Sequence, residues 1–170
     1  MDIKNMDHWA KYCDIIWANT RHDIEFYKKK AIKAKGKILE VACGSGRIYL
    51  EILKHGCEIY GFDISPEILK VLKKKGKEQK LKPRVYRADM RNFKLDHRFS
   101  LIIIPFRSFL CNLTVDDQIK TLRSVKKHLL PKGKLILDIL YPSIEMLETI
   151  SERKVTKRDI KAILNFYRRF

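Results

Sequence analysis

Short apolar runs alternate with longer amphipathic ones along this chain, and few folds tolerate that pattern. The apolar runs fall at residues 37–42, 58–63, 84–88, 100–106 and 134–140. A near-continuous apolar run marks a strand covered on both faces, and such strands belong to parallel sheets. Helical signals fill the gaps. Thr20-x-x-Asp23 reads as a capping box, followed at helical spacing by Ile24, Tyr27 and Ala31. Residues 46–55 carry Ile48, Leu50, Ile52 and Leu53. Ser65-Pro66 offers an N-cap and a first-turn proline, Ile68, Leu69 and Leu72 face a core, and Gly76 reads as the stop. Thr114-x-x-Asp117 opens a helix with Ile119, Leu122, Val125 and Leu129 on one side, ended by Pro131 and Gly133. Strands and helices in this rhythm imply right-handed crossovers and an α/β fold, a doubly wound and mainly parallel sheet.

The length of 170 residues suits a single domain. Its expected parts are a helical lead-in over 1–35, an α/β core over 36–140 and a basic segment over 141–170. No apolar run approaches the roughly 20 residues that span a bilayer, and the first residues lack a secretory pattern. Cys13, Cys43, Cys57 and Cys111 form no C-x-x-C and pair with no histidine at zinc spacing. The expectation is a cytoplasmic protein with reduced thiols and no metal site. The formal charge of +17 attracts polyanions without identifying one, so RNA stays open as a partner. Residues 70–87 hold nine Lys/Arg against one Glu and read as a solvated helix face. His55 and His128 read as charges at helix C-termini.

The chemistry concentrates in Glu40-Val41-Ala42-Cys43-Gly44-Ser45-Gly46-Arg47, where a strand enters a glycine-containing turn that opens a helix. Glycines let backbone pass close under a ligand, and ligands of open α/β sheets bind beyond the carboxyl ends of the strands. Asp63 closes the second strand, 17 residues after Gly46, where a carboxylate can accept from both hydroxyls of a ribose. Arg47, Ile48 and Tyr49 follow Gly46, so the third glycine of a dinucleotide fingerprint is missing, and no triphosphate-binding loop exists. A nicotinamide dehydrogenase is disfavoured on that ground.

From Glu40 to Arg47 the chain resembles the class I S-adenosylmethionine-dependent methyltransferases of the small-molecule type, with Ala42 standing where a first glycine usually lies. An alanine fits there if its backbone dihedrals are ordinary. Gly61 to Glu67, Ala88-Asp89-Met90, residues 99–109 and Leu129-Leu130-Pro131-Lys132-Gly133 resemble the later motifs in order, with Lys132 in place of a common glycine. The resemblance implies five parallel strands, with the usual C-terminal antiparallel strands reduced or absent. It implies S-adenosyl-L-methionine as cofactor. Gly44, Gly46 and the backbone near Cys43 and Ala42 would approach its methionine part, with Glu40 ordering the turn or holding the amino group. Asp63 would take the ribose, Ile64 the adenine face, and Asp89 and Met90 the adenine edge and ring. Pro105 and Phe106 would lie beside the sulfonium, and Tyr12 and Trp17 could cover the cofactor.

No residue qualifies as a catalytic base. Ile104-Pro105-Phe106-Arg107 lacks the amide and second proline of the enzymes that methylate DNA amines, and Cys111 is too far from Pro105 for a cytosine-C5 nucleophile. A small-molecule acceptor is expected. The alternatives are a cofactor-binding subunit that needs a partner chain, an RNA-directed methyltransferase, or an RNA-binding protein. Residues 143–153 read as a helix and 156–170 as a second basic element, leaving the edge of strand five open to a dimer or partner.

Overall fold

The computed structural model describes Asp7, Ala10–Tyr12 and residues 23–140. The chain divides after Ile139 into one unit over Met1–Ile139 and a second over Leu140–Phe170. The expected C-terminal helix and basic element, with His8, Trp17, Thr20 and His22, lie outside the described residues.

The first unit holds five strands in one sheet of order β3-β2-β1-β4-β5, every pair parallel. Here β1 is Ile38–Val41, β2 Ile59–Asp63, β3 Arg84–Arg87, β4 Phe99–Ile104 and β5 Leu129–Leu137. The helices are α1 Ile24–Lys33, α2 Tyr49–Lys54, α3 Pro66–Glu78 and α4 Val115–His128. The doubly wound parallel sheet inferred from the apolar runs is the one observed.

The three inner strands are buried almost throughout, and alternate side chains feed two cores. Ile38, Ile59, Leu101 and Ile103 pack with α1, α2 and α3, whereas Leu39, Val41, Phe62, Ile102 and Ile104 pack on the α4 side. Each fully buried large apolar side chain contributes about 1.5–3 kcal/mol. The strand order reverses between β1 and β4, so the carboxyl ends there form the switch point where ligands of such sheets bind.

Ser65 caps α3 by accepting from the Ile68 N–H at 3.2 Å, and Thr114 caps α4 by accepting from Asp117 at 3.2 Å. Other local expectations are corrected. Gly76 does not stop α3, which runs on to Glu78. A Cβ there would lie 2.4 Å from the Pro83 ring, so the glycine serves the close return of the chain toward β3. Pro131 and Gly133 do not end α4. It ends at His128, and β5 begins at once, with Pro131 to Gly133 inside a register shift opposite Phe99 and Leu101. Asp23 is the N-cap of α1, but its side chain makes no cap bond and turns to Arg47 instead.

His128 closes α4, where the sequence placed it, and both of its ring nitrogens are engaged. Its Nε2 accepts from the Leu95 N–H at 3.1 Å while Nδ1 meets the Ser124 carbonyl at 2.8 Å. That geometry requires the Nδ1–H tautomer, stacked 4.4 Å from the Phe93 ring. Four of the five lysines of α3, Lys70, Lys73, Lys74 and Lys77, are exposed as expected of a solvated face, whereas Lys75 is half-buried and lines a cleft. Among the described residues no helix is long and apolar enough to cross a membrane, and no three His, Cys, Asp or Glu side chains group as metal ligands.

Candidate functional site

The site is assembled from strand ends. β1 and β2 are neighbours in register, Glu40 beside Gly61 and Val41 beside Phe62. The turn after β1 therefore meets the last residue of β2. The Gly44 N–H donates to Asp63 Oδ2 at 2.9 Å and the Ser65 N–H donates to Oδ1 at 3.0 Å. Burial pushes the Asp63 carboxyl up, while these backbone donors pull it back down. The network extends through Ser65, whose hydroxyl donates to the Asp7 carboxylate.

Asp63 and Gly44 border a cleft of about 1100 Å³. It is of the size of small-molecule sites. Glu40, Ala42 and Cys43 line it from the β1 end, and Ile64 from the β2 end. Asp89, Met90 and Pro105 line it from beyond β3 and β4. Gly46 and Tyr12 do not line it. Gly46, at φ +87°, turns the chain where a Cβ would stand 2.8 Å from Leu72, so it serves the packing of the turn on α3. Tyr12 is partly exposed in a short 3-10 turn.

Glu40 is 3% exposed, and its Oε2 has no hydrogen-bond partner among the described residues. Desolvation pushes its carboxyl well above the usual range, opposed by the Arg47 guanidinium. An orphaned buried acceptor of this kind is costly unless a ligand supplies a donor. Burial likewise raises the Cys43 thiol well above its usual range. Its N–H bonds the Phe62 carbonyl at 3.0 Å, and its sulfur fills the space beside Gly61. It is a packed thiol rather than a nucleophile.

Ala42 overturns one expectation. Its φ is +55°, so its backbone is left-handed and not ordinary. Lys132, the other residue in a glycine's usual place, sits at φ +65°. Both keep the glycine conformation at a cost of about 1–2 kcal/mol each.

Asp89 accepts from the Arg91 backbone N–H at 2.9 Å and from its guanidinium Nη2 at 2.6 Å. Those Arg91 bonds hold its carboxyl below the usual carboxylate range. Arg91 also reaches Asp117 at 3.3 Å. The Met90 sulfur accepts from Asn112 Nδ2 at 3.2 Å.

Sequence reasoning missed what surrounds Arg47. Both its terminal nitrogens engage the Asp23 carboxylate, one at 2.8 Å, and its guanidinium carbon lies 5.0 Å from the centre of the Phe106 ring. Arg47 thereby ties α1 to the β1 turn and to the segment after β4. Only the position of Arg47 beside the glycines signalled it.

The acid at the end of β2 and the glycine turn after β1 thus meet at the switch-point cleft of a doubly wound α/β fold. The family model described as "Methyltransferase domain" matches residues 38–133, and the chain belongs to that family. It is 30% identical over 131 residues to "Putative methyltransferase YqeM" of Bacillus subtilis (strain 168), covering 76% of this chain and 52% of that protein. It is 25% identical over 122 residues to dTDP-3-amino-3,4,6-trideoxy-alpha-D-glucopyranose N,N-dimethyltransferase of Streptomyces venezuelae, covering 72% and 50%. The crystal structure of an S-adenosylmethionine-dependent methyltransferase from Clostridium acetobutylicum ATCC 824 superposes with a TM-score of 0.69 at 26% identity, covering 82% and 58%. The chain spans about half the length of the curated relatives it matches.

Proposed function

We propose that the cleft binds S-adenosyl-L-methionine and that the chain directs its methyl group to a small-molecule acceptor. The observation that carries this reading is the Gly44 N–H to Asp63 bond of 2.9 Å, which brings the glycine turn and the β2 acid to one point on the cleft wall. The residues present fit the cofactor. Asp63 accepts from the Gly44 and Ser65 N–H groups, with the Ile64 N–H a further backbone donor, and its remaining acceptor capacity is left for ribose hydroxyls. The orphaned Glu40 Oε2 is a buried acceptor suited to the amino group of the methionine part. Ile64 and Met90 offer apolar surface to the adenine, and the Asp89 carboxylate offers an acceptor to its edge.

When bound, the cofactor supplies a methyl carbon already activated by its sulfonium. The protein's own contribution is then alignment and the exclusion of water, which by proximity can reach about 7–11 kcal/mol at the ideal limit. Pro105 and Phe106 stand at the end of β4, on the acceptor side. Ala42, Cys43 and Gly46 act through the backbone course of the turn, and Tyr12 stands outside the cleft lining.

The small-molecule acceptor is supported by the Streptomyces relative, whose name states dimethylation of an amino-sugar nucleotide. It is also supported by the residues after β4, which lack the tetrad of the DNA-amine enzymes. Calorimetric titration of the protein with S-adenosylmethionine and with NAD tests the cofactor. Binding of the first alone is expected; binding of NAD alone, or of neither, overturns the reading.

A further inference from the structure

Several cations line the cleft, and most are already neutralised. Both terminal nitrogens of Arg47 engage Asp23, Lys54 bonds Glu51 at 2.8 Å, and Arg91 is held by Asp89 and Asp117. Arg107 differs. Among the described residues its guanidinium meets no carboxylate, and its contact is the Phe106 ring, whose centre lies 5.5 Å away. Lys75 of α3 also lines the cleft, but it has an interaction partner of its own; Arg107 is exposed on the cleft wall and is set apart by meeting no carboxylate among the described residues.

Its placement is built into the backbone. Phe106 and Arg107 are consecutive left-handed residues, φ +55° and +60°, and neither is glycine. Bulky residues seldom take that conformation, and where they do they cluster at binding sites. The turn is held by the Ser108 N–H to the Pro105 carbonyl at 3.1 Å and the Leu110 N–H to the Arg107 carbonyl at 2.9 Å. The turn follows β4 at the switch point, on the side away from the Asp63 network. The ring of Phe106 steadies the guanidinium while leaving its N–H fork for a ligand.

We infer that Arg107 is the recognition group for an oxyanion, carboxylate or phosphate, carried by the methyl acceptor. The inference rests on the proposed methyltransferase reading and adds the chemical class of the acceptor. A planar five-donor fork that meets no carboxylate among the described residues matches both oxyanions bidentately.

The test uses the 170-residue protein saturated with S-adenosylhomocysteine and titrated calorimetrically with inorganic pyrophosphate and with citrate, at constant ionic strength. One of the two is expected to bind, and which one does names the source of the oxyanion. In R107Q that affinity is expected to fall at least tenfold, and R107K to fall between the two. Affinity for S-adenosylhomocysteine should stay within threefold in both variants. Unchanged anion affinity in R107Q assigns the binding to general positive charge and overturns the inference. So does a tenfold loss of S-adenosylhomocysteine affinity, which would place Arg107 on the cofactor side. Cofactor binding with neither anion bound overturns this inference alone; no S-adenosylhomocysteine binding overturns the reading of the site as well.

Discussion

The inner and outer walls of the cleft hold their acids differently. At the ends of β1 and β2, Glu40 and Asp63 are each 3% exposed, and burial pushes both carboxyls up. Asp63 is held by backbone N–H groups that cannot turn away. Beyond β3, Asp89 has one backbone donor, the Arg91 N–H, but it is held chiefly by the flexible Arg91 side chain and is pulled down instead. Backbone-held groups stand in place before a ligand arrives. Side-chain ion pairs at a rim can open at a cost of about 1 kcal/mol or less. The inner wall is therefore preorganised, and the outer wall is adjustable.

The largest effect should come from Asp63→Ala. It removes the acceptor for the ribose hydroxyls and strands the backbone donors of Gly44, Ile64 and Ser65. Two charge-assisted bonds at about 1.5 kcal/mol each lower S-adenosylhomocysteine affinity about 100-fold, read by calorimetry. A loss below tenfold would break the distinction between the walls.

Glu40→Gln should give the next effect, read in stability against pH. Because the folded carboxyl titrates above its unfolded value, the native state keeps a proton that the unfolded chain has released. Stability therefore falls as pH rises from about 4.5 toward the folded value. The glutamine variant should lose that slope and gain about 1–3 kcal/mol at neutral pH, measured by urea unfolding at several pH values. A parallel pH profile in wild type and variant would count against the buried orphan.

Ala42→Gly should stabilise modestly. Relief of about 1–2 kcal/mol of left-handed strain exceeds the roughly 0.4–1 kcal/mol entropy cost of glycine. A rise in Tm of about 2–3 °C is expected, and no rise would show that the turn has already absorbed the strain.

The smallest effect belongs to the outer wall. Arg91→Ala should destabilise by under about 1 kcal/mol, and 1 M salt should shrink the difference further. Its contribution appears above the ordinary Asp range and is lost as pH falls through the lowered value. A loss as large as that of the inner wall would erase the contrast.

Much of this was legible in the chain because it depends on short-range pattern. Ser65 and Thr114 cap their helices as their spacing announced, since capping needs only residues three apart. Gly76 and Pro131 misled for the opposite reason. The closeness of Pro83 to α3 and of β5 to β4 is a long-range fact, and it overrode the local breaker. Asp23 read as a capping residue because its partner, Arg47, lies 24 positions away.

By itself the sequence determined the parallel sheet, the glycine turn and the acid at the end of β2, because apolar periodicity and residue type act locally. Tertiary structure decided which groups meet. It joined Gly44 to Asp63, turned Ala42 left-handed and, among the described residues, left Glu40 with an orphaned oxygen and Arg107 on the cleft wall without an acid. Burial and the register of neighbouring strands govern those outcomes, and neither is a property of any short stretch of chain.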